Sequence, residues 1–333
     1  MSHKCTVARR LLGTCLALAG LATIVLAPSP VQAQSKYPDR PVRLILPFGA
    51  GGVADITTRL VAEKLGDKLG QRFVVENNPG AGGVSAARAV MQSPADGYTL
   101  AVFSNGTAVS VNLFKSLPFD PIKDFVPVSA MGYFDLVLVT NANGPYKTLG
   151  DFIKAAKEKP GQLNVGTIAA GSSQNLGAEL FKSVTGLDFV IVPFKTSGDV
   201  LVGLERNDVQ MATEFYAALR GSLDAKKFIP VAISGTQRGA YLPNAPTAKE
   251  AGEPKWEVTS WNAIFAPAGT PPDVIATLNK ALNEVLADPE VKKKALEMGI
   301  DARGSTPQEI EARLKADIEK WGKVIDTAKI EKR

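Results

Sequence analysis

Three times between Arg43 and Phe103 a short apolar run appears, and after each of the first two come a glycine-rich turn and a helical stretch. Arg43 to Phe48 reads as a buried strand, Gly49-Ala50-Gly51-Gly52 as a tight loop, and Asp55 as the N-cap of a helix. Ile56, Leu60, Val61, Leu65 and Leu69 keep one face of that helix apolar. Phe73-Val74-Val75 begins the next strand, Asn77 to Gly83 the next glycine turn and helix, and Tyr98 to Phe103 a third strand. Strands that alternate with helices in this way call for crossover connections, which bring strands together in parallel and place helices on the sheet faces. The reading is an α/β fold with a mostly parallel sheet.

A second α/β unit follows. Leu136 to Thr140 is a strand, and the turn-rich Asn141-Ala142-Asn143-Gly144-Pro145 marks a boundary. Thr148 with Asp151 has capping-box spacing for a helix to Lys159, and Gly171-Ser172-Ser173 opens another helix after a strand at Leu163 to Thr167. Strands at Val190 to Pro193, Val209 to Thr213 and Phe228 to Ser234 continue the alternation, and Trp256 to Phe265 is extended. Pro271-Pro272 and Pro307 start two terminal helices with no strand between them, which most simply pack back on the first unit. The chain then crosses between units twice, near Asn141 to Pro145 and near Trp256 to Trp261, giving a hinge with a cleft. Residues 34–140 plus 261–333 form one lobe, and 141–260 the other.

The first 33 residues stand apart. Lys4, Arg9 and Arg10, the apolar run Leu11 to Ala27, Pro28 and Pro30, and Val31-Gln32-Ala33 follow the layout of a secretory signal, with cleavage after Ala33 and a periplasmic product. This segment holds the only histidine, His3, and both cysteines, Cys5 and Cys15. A chain beginning at Gln34 therefore has no histidine or cysteine with which to build a Ser-His-Asp or Cys-His nucleophile, a Cys/His zinc site or a disulfide. It carries 35 basic and 33 acidic residues, net +2. That balance gives no electrostatic footprint for nucleic acid, and no metal or cofactor is expected.

The glycine loops carry the chemistry. A helix N-terminus presents unpaired N–H groups and about half a positive charge, and glycine lets an anion approach that backbone. Gly49 to Gly52 offers one such end and Gly171 to Ser173 the other, with Thr167, Ser172 and Ser173 adding hydroxyls. One loop alone is a tight turn; one in each lobe makes an anion site across the cleft. The first loop lacks the Lys-Ser/Thr ending of a Walker loop and the G-x-G-x-x-G spacing of a dinucleotide fingerprint.

At these residues the chain resembles the Bug (TctC-like) extracytoplasmic solute-binding proteins of tripartite tricarboxylate transporters. The resemblance is carried by Tyr37 to Arg43, Pro47-Phe48 through Gly51-Gly52 to Asp55, Glu76-Asn77 to Gly83, Pro94 to Leu100, Val192 to Lys195, Tyr241 to Thr247 with Glu250-Ala251-Gly252, Trp261, and Ala266 to Pro271. It implies a two-lobed type II periplasmic binding protein fold whose lobes close on a small organic carboxylate (a di- or tricarboxylate, an aromatic acid or a related acid). The ligand is then delivered to membrane permease subunits by a monomeric receptor that performs no chemistry. A sensor partner of a membrane histidine kinase and an exported carboxylate-based hydrolase or lyase are the alternatives.

By match to the family, the gripping loops are Phe48, Gly49, Ala50, Gly51, Gly52 and Asp55, and Thr167 with Gly171, Ser172 and Ser173. Asn105 and Thr107 follow the third strand, and Lys195, Ser197, Glu214 and Phe215 lie where the opposite lobe supplies contacts. The expected grip uses backbone N–H groups, hydroxyls and bridging water without an arginine clamp, with Lys195 at the far end of the ligand. Two positions depart from the family pattern: Gly49-Ala50 stand where a proline is common, and Asn175 where a histidine often stands. Trp256, Trp261 and Trp321 read as packing residues, with lining of the cleft as the alternative for Trp261 at the second crossing.

Overall fold

A computed structural model describes residues 37–51, 53–168 and 171–332; the expected signal segment and Gly52 lie outside them. The chain opens with β1 (Val42–Leu46), α1 (Val53–Leu69) and β2 (Phe73–Asn77), then α2 (Val84–Met91), β3 (Thr99–Ser104) and α3 (Asn105–Leu113). β1 pairs in parallel with β2 and β3, in the expected crossover arrangement. The first helix starts earlier than its sequence suggests: Asp55 lies inside its first turn, not at the N-cap.

β4 (Phe125–Asn141) departs most from expectation. Only its last third was legible as a strand, because Pro127, Ser129 and Gly132 break the apolar pattern where the ladder shifts register at two bulges. Beyond it lie α4 (Leu149–Glu158), β5 (Asn164–Ile168), α5 (Ser173–Thr185), β6 (Val190–Phe194), α6 (Ser197–Glu205), β7 (Met211–Phe215), α7 (Tyr216–Asp224) and β8 (Phe228–Ile233). The chain returns on β9 (Thr259–Pro267) and ends in α8 (Pro272–Ala287), α9 (Pro289–Leu296) and α10 (Pro307–Thr327).

The strand order is β2-β1-β3-β9-β4-β7-β5-β6, with β8 also on β4. β4 pairs antiparallel with β9 from Phe125 to Asp135, and with β7 and β8 from Leu136 onward. The expected mostly parallel sheet is therefore mixed. Parallel ladders (β1 with β2 and β3, β5 with β6 and β7) flank an antiparallel centre, because the chain goes out along β4 and comes back along β9. Thr148 caps α4 through the expected capping box with Asp151.

Helices cover the sheet faces. α8 packs on α1 and β4 through Val61, Leu65, Leu278 and Leu282, all buried. α10 packs back on α3 of the first unit, as expected, and on β4, and also reaches α5. At 1.5 Å per residue its 21 residues extend about 30 Å, long enough to reach helices that follow both parallel ladders. The tryptophans are fully buried and polar-anchored: Trp256 Nε1 donates to Gly177 O (2.8 Å), Trp261 Nε1 to Asp317 Oδ2 (2.6 Å) and Trp321 Nε1 to Asn105 Oδ1 (2.5 Å). Trp261 is thus a packing residue, while its neighbours Ser260 and Asn262 face the central cavity.

Candidate functional site

In an α/β sheet the strands' carboxyl ends are where loops turn into helix N-termini, and a crevice forms there. Here β1, β3, β5 and β7 all deliver their carboxyl ends to one cavity of about 620 Å³. The helices α1, α3, α5, α6 and α7 all contribute residues of their first turns or N-terminal ends to its lining. Phe48, Gly51, Ile56, Ser104, Thr107 and Ser110 line one side. Ser172, Ser173, Gln174, Ser197, Glu214 and Phe215 line the other, and Phe134, Ser260 and Asn262 from the central strands form part of the wall. Phe134 and Phe215 meet edge to face, 5.0 Å between ring centroids. Among the described residues none that lines the cavity is basic.

The loop after β1 is held from behind. Gly51 N–H donates to Asp55 Oδ2 (2.9 Å), and Asp55 in turn accepts from Arg59 Nε and Asn77 Nδ2. Asn77 Nδ2 also donates to Phe48 O (3.0 Å), tying the loop to β2. Burial works against ionisation of Asp55, but the hydrogen bonds from Arg59, Gly51 and Asn77 outweigh it and bring its pKa down to about 2. Asp55 is buried behind the loop and does not line the cavity; Gly49 and Ala50 are exposed and do not line it either.

The loop after β5 uses the same device with a neutral side chain. Gly171 N–H donates to Asn175 Oδ1 (3.0 Å), and Asn175 Nδ2 to Thr167 Oγ1 (3.4 Å). Thr167 spends its own proton on Ile168 O and is fully buried, outside the cavity. The departure from the family pattern at Asn175 thus has a structural role: this amide staples the loop. Ser172 Oγ caps α5 by accepting Asn175 N–H (3.1 Å), and Ser173 Oγ accepts from Asn105 Nδ2 (3.1 Å). Asn105 is buried and supports the site through Trp321 and Ser173 without lining it.

The opposite wall is unlike either loop. Glu214 is 1% exposed; its Oε1 accepts from Gln174 Nε2 (2.8 Å) and Phe215 N–H (2.9 Å), while Oε2 has no protein partner. Burial pushes its pKa up, partly offset by the hydrogen bonds from Gln174 and Phe215. Asn262, fully buried, also has both amide atoms unpartnered. Lys195 is exposed and lies off the lining. Among the described residues no three His, Cys, Asp or Glu side chains cluster as a metal site needs.

Residues 57–330 match the family model described as the tripartite tricarboxylate transporter family receptor, TctC. The chain belongs to this family. Among its relatives, Protein BugT of Bordetella pertussis is 35% identical over 316 residues, covering 94% of this chain and 95% of that protein. A solved Rhodopseudomonas palustris protein with adipate is 34% identical with a TM-score of 0.79, covering 89% of this chain and 99% of that one. MatC from the same organism, solved with malate, is 30% identical with a TM-score of 0.74, covering 87% and 100%. This receptor is therefore a solute-binding protein with the two-lobed type II fold, as its sequence motifs imply. No helix among the described residues is long and apolar enough to cross a membrane.

Sequence reasoning missed Phe134, Gln174, Ser260 and Asn262 in the lining of the receptor's cavity. Asn262 had a signal: it is a lone amide in the apolar run Trp261-Asn262-Ala263-Ile264-Phe265, and a polar group buried in a strand needs a partner or a purpose.

Proposed function

We propose that this receptor captures a small organic carboxylate in the central cavity and delivers it, without chemical change, to the membrane permease subunits of a tripartite tricarboxylate-type transporter. Its lobes are residues 34–140 with 261–333, and 141–260; the monomer is exported by cleavage after Ala33 and works in the periplasm. Adipate and malate on the two solved relatives support the ligand class.

The observation that carries the reading is the Ser172-Ser173 start of α5. Each hydroxyl oxygen already accepts a hydrogen bond, from Asn175 N–H and Asn105 Nδ2 respectively, and each keeps its own proton to give. Both residues line the cavity at a helix N-terminus whose nearby side chain, Asn175, is uncharged. Gly51 and Gly171 have their N–H groups engaged by Asp55 and Asn175, so hydroxyls and the Asn262 amide take over part of the grip assigned to backbone. Hydrogen bonds to a charged group contribute about 1.5–3 kcal/mol each, enough in combination for binding near micromolar after the cost of immobilising the ligand.

Calorimetric titration with dicarboxylates and their methyl esters tests this. The acid binds, the ester of the gripped carboxylate does not, and Ser172→Ala with Ser173→Ala weakens the acid by at least about tenfold. An ester bound as tightly as its acid overturns the reading.

A further inference from the structure

Glu214 is a carboxylate in the wall of a cavity that binds, on the reading above, a carboxylate. It sits at the end of β7, where the ladder with β4 pairs it with Val137. Its backbone neighbour Phe215 and the α5 side chain Gln174 both donate to the same oxygen, Oε1. That arrangement fixes the carboxyl plane and leaves Oε2 as its only unpaired atom, buried on a residue that lines the cavity. Buried polar atoms in native proteins are rarely left without a partner, and those that are call for an explanation. Among the described residues no basic side chain lines the cavity to serve as that partner.

We propose that Glu214 is the specificity-determining residue of this receptor: its Oε2 receives a hydrogen-bond donor, an ammonium or hydroxyl group, carried by the ligand at a distance from the gripped carboxylate. The cavity then has two unlike poles. The α5 start with Ser172 and Ser173 gives protons to an anion, and Glu214 takes one from the ligand's other end. The preferred class is the amino or hydroxy acid, and an unsubstituted dicarboxylate that sets its second charge against Glu214 is disfavoured by like-charge repulsion in a desolvated site.

The inference rests on the carboxylate reading, and matched ligands separate the two. Succinate, malate and aspartate share one carbon skeleton, as do adipate and 2-aminoadipate. Titrated calorimetrically into the wild-type receptor, the donor-bearing member of the better-fitting set binds about ten- to a hundredfold tighter than its unsubstituted parent, the range of a hydrogen bond to a charged acceptor. Glu214→Gln keeps the shape and the Oε1 acceptor for Gln174 and Phe215 but turns an amide NH₂ toward the ligand. It therefore reverses the order, weakening the amino acid and strengthening the dicarboxylate.

Equal binding of parent and donor-bearing acids by the wild type overturns the inference and leaves carboxylate capture intact. So does dicarboxylate binding accompanied by uptake of one proton, read from the dependence of the heat on buffer, because Glu214 would then be the donor. If none of the five acids binds, both readings fail. The wild-type comparison needs no variant, so a Glu214→Gln protein that does not fold still leaves the outcome decided.

Discussion

The loops after β1 and β5 are built alike and charged differently. In each a glycine with φ of +83° gives its N–H to the side chain four residues later, Gly51 to Asp55 and Gly171 to Asn175. In the first that side chain is an anion, paired with Arg59, in the first turn of α1. In the second it is a neutral amide. A carboxylate at a helix N-terminus uses up the favourable potential there. With Asp55 in place the α1 start has its anion, whereas the α5 start, capped only by neutral groups, has its potential left for a ligand. One charged group thus makes two similar loops unequal, and under the proposed function it is the Ser172-Ser173 side that takes the anion.

The strongest way to break this comparison is to make the loops electrically alike. Asn175→Asp preserves the acceptor for Gly171 N–H but puts a negative charge beside the anion site; carboxylate affinity falls by roughly a hundredfold, read by calorimetry, with the fold retained by circular dichroism. An unchanged affinity would move the anion site away from α5.

Next in size is the steric difference between the glycines. A Cβ at Gly171 would come within 2.4 Å of Leu113 Cδ2, whereas one at Gly51 meets nothing within 4 Å. Both pay for the left-handed backbone, about 1–2 kcal/mol, and only the first adds overpacking of about 1–3 kcal/mol. Urea unfolding of Gly171→Ala and Gly51→Ala therefore separates the two, with Gly171→Ala the less stable.

The third prediction uses pH. Asp55 titrates near 2 in the folded protein, below the ordinary value of 3.8, so its contribution is fully present above pH 3.8 and is lost as pH falls toward 2. The shift corresponds to no more than about 2.5 kcal/mol. Asp55→Asn removes that part of the acid sensitivity, and the gap between wild type and variant narrows as the pH drops through this window in thermal melts. An amide at position 175 titrates nowhere in the range, so Asn175→Ala leaves the slope with pH unchanged.

An effect of similar size on stability, and the smallest on affinity, joins the loops to the protein's last helix. Asn105 accepts from Trp321 on α10 and donates to Ser173. Asn105→Ala leaves the Trp321 N–H without its partner and Ser173 less fixed, costing about 1–3 kcal/mol of stability and about threefold in carboxylate affinity. Differential scanning calorimetry and titration read the two separately.

Much of this was written locally. Strand, glycine turn and helix recur in the order of residues, so β1, α1, β2, β3, the Thr148 cap and the Ser172 start of α5 were legible from period and turn chemistry. So was the family, because Pro47 to Asp55 and Ala266 to Pro271 are contiguous motifs. What the tertiary structure alone decided is everything that depends on pairing at a distance. β4 looked like a five-residue strand because Pro127 and Gly132 interrupt its pattern, and its continuity exists only through the ladder with β9. Thr167 and Asp55 looked like ligand contacts from their places in the loops; hydrogen bonds to Ile168, Asn175, Arg59 and Asn77 turned them into supports. Glu214 was expected among the contacts of the opposite lobe, but only the packing of α5 and β7 around it showed that it is withdrawn from water with one oxygen unpaired. Local sequence determines which groups a loop can offer, whereas burial and the partners contributed by remote segments determine which of those groups remain free to bind.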